Sequence, residues 1–222
     1  MQYKKIIDAE FLDRPNRFIA HVKLGGQIET VHVKNTGRCK ELLIPGVEVR
    51  LEETDNPNRK TRYDLISVKR EGVGWINIDS QAPNKVVLEW LQKKDYDYIK
   101  PEYVYGSSRL DFYMKKNNLE FLMEVKGCTL FVDGIGYFPD APTERGVKHL
   151  RELAAASHRG YKCAVAFVIQ AEGINEVRPN TDTHKEFGVA LKEAVDAGVE
   201  VIFYLCKVER DSIYIIDEKI AK

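Results

Sequence analysis

The chain has no surplus of charge of either sign: Lys plus Arg and Asp plus Glu both number 34 in 222 residues. That balance excludes a protein that holds nucleic acid by a global positive field, so any such site must be a local patch. Cysteine is sparse. Cys39, Cys128, Cys163 and Cys206 stand singly, without the close pairs of zinc or redox motifs, and free thiols in a reducing compartment are expected. The longest apolar run, residues 163–169, is far too short to cross a bilayer. The opening Met1-Gln2-Tyr3-Lys4-Lys5 leads into mixed polar sequence, not an apolar signal core. No GxGxxG or Walker loop, internal repeat or low-complexity tract is present. A cytoplasmic protein with no membrane partner is therefore expected. Its 44% hydrophobic and 31% charged content suits one large folded domain or two small ones, not a disordered chain.

What is present begins with short strands and turns. Residues 17–23, 29–33, 47–51, 62–68 and 74–78 read as five closely spaced strands, which suggests a small Greek-key barrel of the OB type over residues 1–81. Around Pro83-Asn84 the pattern changes. Val86, Val87, Trp90 and Leu91 fall at helical spacing behind a candidate Asn84 cap, predicting a helix to about Lys94. Helices and strands then interleave. Thr143 can cap a helix carrying Val147, Leu150 and Leu153, residues 162–169 read as a buried strand, and Thr183-His184-Lys185-Glu186 has the form of a capping box. Gly198 stops that helix, and strands follow at 199–205 and 212–216. Residues 82–222 are predicted to be an α/β domain with a mixed sheet.

Asn117-Asn118 separates two alternating runs and suits the positive-φ positions of a type I′ turn. A hairpin in that register sets Asp111 opposite Glu124 and Arg109 opposite Lys126, all on one face. Leu110, Phe112 and Met114, with Phe121, Met123 and Val125, turn to the other, toward a core. Two opposed carboxylates repel, so the pair needs a cation, a proton or a metal. Mg²⁺ or Mn²⁺ would suit it: a hard cation takes one or two carboxylates and keeps its other positions for water and phosphate. Lys126 could then position the water or stabilise developing negative charge. The alternative is a solvated hairpin whose four charges merely pair diagonally.

Several separated motifs, Val33-Lys34-Asn35-Thr36-Gly37-Arg38, Ser108-Arg109-Leu110-Asp111-Phe112, Glu124-Val125-Lys126 and the run from Phe138-Pro139-Asp140 to Glu152-Leu153, closely resemble the sugar fermentation stimulation protein A family. The likeness covers nearly the whole chain. It implies an OB-like domain followed by a domain similar to PD-(D/E)xK nucleases, and DNA binding. By the same likeness Asp111, Glu124 and Lys126 fall on the nuclease-type acid, acid and lysine. Leu110, not proline, precedes Asp111, and Pro139-Asp140 comes after the hairpin. Nuclease-like folds often add an acid from the first helix, for which Glu89 is the candidate metal ligand, with Glu102 as its rival.

Residues 143–162 carry a local basic surplus. Arg145, Lys148 and His149 beside a helix start suit phosphate, DNA more than RNA, with a solvated helix face as the alternative. From the barrel, Asn35, Thr36, Gly37 and Arg38 could contact a nucleic-acid backbone, or form only a tight turn. His21 and His32 have no partner at ligand spacing, and Gly134 and Gly136 are assigned to a flexible loop. Three functions stay open: a DNA-binding protein with a divalent-metal, nuclease-type site; a non-catalytic nucleic-acid-binding regulator; and a protein-interaction module.

Overall fold

The computed structural model describes residues 1–35 and 37–221; Thr36, one of the barrel residues expected to face nucleic acid, lies outside them. Five strands form the barrel: β1 (Ile6–Asp13), β2 (Ile19–Leu24), β3 (Gln27–Val33), β4 (Glu48–Glu53) and β5 (Tyr63–Arg70). They run in the order β3-β2-β1-β4-β5, and a parallel pairing of His32 and Val33 with Asp64 and Leu65 closes the ring. Alternation sends Ala20, Val22, Val31, Val33, Val49 and Leu51 inside. The OB barrel therefore stands, with a different membership. Strand β1 completes it, and β6 (Gly74–Asn77), expected as the fifth strand, is appended to β5. The β1 segment hides its period because every residue but Phe11 is half-buried or exposed and a bulge interrupts it between Phe11 and Asp13.

Helix α1 (Ala82–Leu91) opens the second half. Its N-cap is Gln81, with Pro83 in the first turn, where a missing N–H leaves nothing unpaired. Asn84 is thus inside the helix, and its amide is free for another task. Strands β7 (Tyr98–Tyr105), β8 (Ser108–Lys116) and β9 (Leu119–Cys128) follow, then a small hairpin of β10 (Leu130–Val132) and β11 (Ile135–Phe138). Helix α2 (Glu144–Ser157), β12 (Lys162–Ile169), β13 (Val177–Pro179), α3 (Lys185–Asp196), β14 (Glu200–Val208) and β15 (Ile213–Ile220) complete the chain. The mixed sheet has the order β15-β14-β12-β9-β8-β7, in which β12 runs parallel to both β9 and β14.

Thr143 caps α2 as expected, its hydroxyl accepting from Gly146 N at 3.1 Å. The capping box before α3 does not form: His184 is the N-cap and makes no side-chain capping bond. Asp133 and Gly134, both at positive φ, make the two-residue turn between β10 and β11, so the stretch read as a flexible loop is a second hairpin.

Helix α1 lies in one apolar cluster with Phe112, Met114, Met123 and Val125, while α2 and α3 share the other with Tyr113, Leu122 and the barrel interior. Both faces of the sheet are covered. Leu110 departs from its expected side and joins the α2 cluster.

A buried polar knot joins barrel to sheet. Gln170 Nε2 donates to Asn77 O and Oδ1, both at 3.0 Å, and to Asp79 O at 3.1 Å, while Asn77 N donates to Gln170 O at 2.9 Å. Lys34 Nζ pairs with Asp79 at 3.0 Å. A Cβ on Gly127 would lie 2.4 Å from Gln170 Oε1 and 2.8 Å from Pro83 Cγ, so only glycine lets the start of α1 sit this close to β9. The helix is thereby fixed over the middle of the sheet.

Candidate active site at the β8–β9 hairpin

Asn117 and Asn118 take φ of 48° and 65°, the left-handed pair a type I′ turn demands. The resulting ladder pairs Lys116 with Leu119 and runs to Phe112 with Met123. Beyond that point β8 leaves β9, and the Asp111 side chain takes over the pairing: its Oδ2 accepts from Val125 N at 2.8 Å. Asn84 Nδ2, reaching over from α1, donates to Asp111 Oδ1 at 2.7 Å.

Glu124 faces the opposite helix. Lys126 Nζ donates to its Oε1 at 2.5 Å, and His149 on α2 donates to the same oxygen through Nδ1. Arg145 Nε in turn donates to His149 Nε2 at 3.4 Å, so the two contacts set the Nδ1–H tautomer. Glu124 and His149 are each only 3% exposed. Glu124 Oε2 is buried without any hydrogen-bond partner. A lone acceptor of this kind costs about 1–3 kcal/mol unless something fills it.

The two carboxylates are driven apart in acidity. Burial, and then the negative charge of Glu124, push Asp111 upward, against the bonds from Val125 and Asn84. Burial would push Glu124 up too, but the His149 hydrogen bond and the Lys126 charge outweigh it and hold Glu124 below its ordinary value.

Lys126 bonds Glu124, and the charges of both reach Asp111, although the ladder ends one pair before Asp111 would face Glu124. Other expected members sit elsewhere. Glu89 accepts from the Met1 amine at 2.6 Å, so the first helix turns Asn84, not an acid, toward Asp111. Glu102 is exposed at φ 52° and pairs with Arg109 at 3.5 Å. Arg109 does not face Lys126, because the ladder ends before it; it lines an open cleft of 520 Å³ with Ser108, Arg145 and Lys148 on the outer side of His149. Lys148 Nζ donates to Ser107 O at 3.1 Å across that cleft. His149 is a buried partner of Glu124 and no surface phosphate contact. Arg38 is exposed on the barrel. Among the described residues no group of three or more His, Cys, Asp or Glu side chains has metal-holding geometry.

The parts that Asn84, His149 and Gln170 play were not foreseen from the sequence. For His149 a signal existed: Gly146, His149, Leu153 and Ala156 recur at the three- and four-residue spacing of the buried face of α2. Asn84 and Gln170 carry no local signature, since their partners lie 27 and 93 residues away in the chain.

The four cysteines are free and buried, with burial pushing each thiol up to about 12. No helix among the described residues is long and apolar enough to cross a membrane.

Comparison with known proteins agrees over both halves. Residues 12–78 match the SfsA N-terminal OB domain and residues 81–212 the sugar fermentation stimulation protein RE domain. Sugar fermentation stimulation protein homologs of Desulfitobacterium hafniense and Clostridium beijerinckii are each 52% identical to this chain, over 216 and 221 residues. These alignments cover 96% and 98% of the chain and 94% and 97% of the relatives. The structure of Pyrococcus furiosus SfsA in complex with Ca²⁺ superposes with a TM-score of 0.86 at 28% identity, over 98% of this chain and 96% of that one. The chain belongs to the sugar fermentation stimulation protein family.

Proposed function

We propose that this chain is a cytoplasmic DNA-binding protein whose second domain hydrolyses phosphodiesters at a divalent-cation site of the PD-(D/E)xK type. The observation that carries the reading is Glu124 Oε2, buried and unpartnered, in a residue whose charge is felt by Asp111. A buried carboxylate oxygen of Glu124 and the half-buried carboxyl of Asp111 are hard donors of the kind a small divalent cation takes while drawing its remaining ligands from water and substrate. Mg²⁺ or Mn²⁺ bound by Asp111 and Glu124 would polarise a phosphoryl oxygen and acidify a bound water. The Pyrococcus relative's complex with Ca²⁺ is of the same hard-cation class.

The chain's own groups supply the rest. Asn84 and Val125 N hold the Asp111 carboxylate in place, and His149 does the same for Glu124. Lys126, now on Glu124 Oε1, lies where its ammonium can orient the attacking water and offset charge gathering on the phosphoryl oxygens. The water oxygen bonds to phosphorus, one ester P–O bond breaks, and the departing oxygen takes up a proton. Arg109, Arg145 and Lys148 at the neighbouring cleft, and Arg38 on the barrel, would hold flanking phosphates.

A non-catalytic regulator is the second reading, favoured by Lys126 and His149 already sharing one oxygen of Glu124. The two separate in one assay, with labelled DNA and RNA incubated with the full chain in Mg²⁺, in Mn²⁺ and in chelator, beside Glu124→Ala and Lys126→Ala. Cation-dependent cleavage lost in both variants is the expected result. Binding without cleavage under every condition would leave the regulator.

A further inference from the structure

The barrel carries chemistry that the hairpin site does not use. Where β1 runs into β2, Arg14 organises a loop by donating to four carbonyls: Gly37 at 2.9 Å, Arg38 at 2.8 Å, Arg17 at 2.7 Å and Asn35 at 2.6 Å. Its charge is consumed by backbone. The result is a cleft of 680 Å³ whose rim holds Arg17, Arg38 and Lys40. None of these three forms an ion pair among the described residues, whereas the facing Asp13 is engaged by His21 at 2.8 Å. In a chain with no net charge, three cations without ion-pair partners outnumber the carboxylates at this cleft, Asp13 on its lining and Asp140 beside Gly37, and leave a local positive surplus that suits an anion.

Beside it stands Phe18, 52% exposed. It is no floppy loop residue: Asn16 Oδ1 accepts from Phe18 N at 2.9 Å and from Ile19 N at 3.1 Å, and Phe18 O accepts from Val33 N at 2.8 Å. The backbone is pinned on three sides while the ring faces solvent. Phe18 itself lines a second cleft of 460 Å³, where cationic groups are already neutralised. Arg59 makes two bonds to Asp64, at 2.8 and 2.5 Å, and Lys34 is paired with Asp79. What that cleft offers is the neutral side-chain amide of Gln81, beside Asn35 and Ser80, whose side chains already bond Ile78 O, Gly37 N and Lys34 O and keep only their remaining acceptor and donor sites.

Free cations, then an anchored aromatic face, then neutral polar groups match the parts of one nucleotide in order: phosphate, base face, base edge. A duplex hides the faces of its bases in the stack, so only an unpaired strand can use the ring. We propose that the barrel selects single-stranded nucleic acid, with phosphates along Arg17, Arg38 and Lys40 and an unpaired base stacked on Phe18. The inference rests on the nucleic-acid-binding reading and names its substrate class. Its position supports it. Gln81 caps α1, whose Asn84 holds Asp111, and the loop at Gly37 packs against Asp140, shortly before α2. A strand leaving the barrel on this side therefore heads toward the acidic site.

The test uses the full chain in chelator, so that cleavage plays no part. Fluorescence anisotropy would follow labelled oligo-dT of about 16 nucleotides and a duplex of equal length, a span that covers one OB-fold site. The expected result is tighter binding of the single strand by about tenfold or more, the contribution of a stacked base. Phe18→Ala removes that preference. Phe18→Trp restores it, and its added indole emission is quenched by the bound strand. Arg17→Ala combined with Arg38→Ala weakens single-strand binding and flattens its salt dependence. Equal affinity for strand and duplex, or an undiminished preference in Phe18→Ala, overturns the inference and leaves DNA binding intact. Binding of neither nucleic acid overturns both.

Discussion

Asp111 and Glu124 are neighbours of the same chemical type whose surroundings push them in opposite directions. Because burial and the adjacent charge raise Asp111 in the fold, its ionised form opposes folding at neutral pH, and that opposition is relieved as pH falls through its folded-state value. Glu124 behaves inversely. Lowered by His149 and Lys126 in spite of burial, it contributes stability that is present above its unfolded-state value and lost as pH falls through the folded-state one. Asp111→Asn should therefore raise the urea midpoint of the cation-free protein at pH 7, since the Asn84 amide can turn to meet the new one. Glu124→Gln should lower it, because Lys126 and His149 lose their shared anion. Both differences should shrink in acid. Midpoints that move the same way in the two variants at pH 7 would contradict this division of roles. Asp64 in the barrel gives a further check. Burial tends to raise it, but Arg59 and then His32 bring it down, so the barrel should lose stability as pH falls through the Asp64 folded-state value, and Asp64→Asn should remove that part of the acid sensitivity.

At the scale of elements, the hairpin was legible in the sequence because its information is local. Asn117 and Asn118 sit at the two turn positions that need positive φ, and alternation on each side fixes the partners. The same logic was available at Asp133-Gly134, but β10 and β11 have three and four residues, too few for alternation to register. Where expectation and structure part at the site, the cause is tertiary. The sheet is buried on both faces, so the charged side of the hairpin is covered by α2 and His149 is carried inward. No pattern within the hairpin announces the helix above it. Placement of α1 is equally non-local, and it depends on Gly127. Gly127→Ala should destabilise the fold by about 1–3 kcal/mol, as overpacking does, and move Asn84 off Asp111. Denaturant unfolding measures the first effect and carboxyl-carbon NMR of Asp111 the second. An unchanged midpoint with an unchanged Asp111 signal would show that α1 does not need this close approach.

For the whole molecule, zero net charge coexists with cations gathered in two places, the cleft outside His149 and the barrel cleft. Nucleic-acid affinity should accordingly fall with salt. Removing Arg145 or Lys148 should reduce the slope of log K against log salt by about 0.9 for each duplex phosphate that is no longer neutralised. Variants that weaken binding at constant slope would show that these residues do not meet phosphate. The barrel and the sheet are held in register by the Gln170 and Asp79 knot, so both cation clusters keep a fixed relation to the acidic recess. Phosphodiester hydrolysis by the second domain requires Asp111 and Glu124 to hold a cation. Calorimetric titration of Mn²⁺ into the full chain, beside Asp111→Ala and Glu124→Ala, is the most direct measurement. Saturable binding to the native chain that disappears in both variants is the predicted result. Heats indistinguishable between the native chain and the two variants would contradict it.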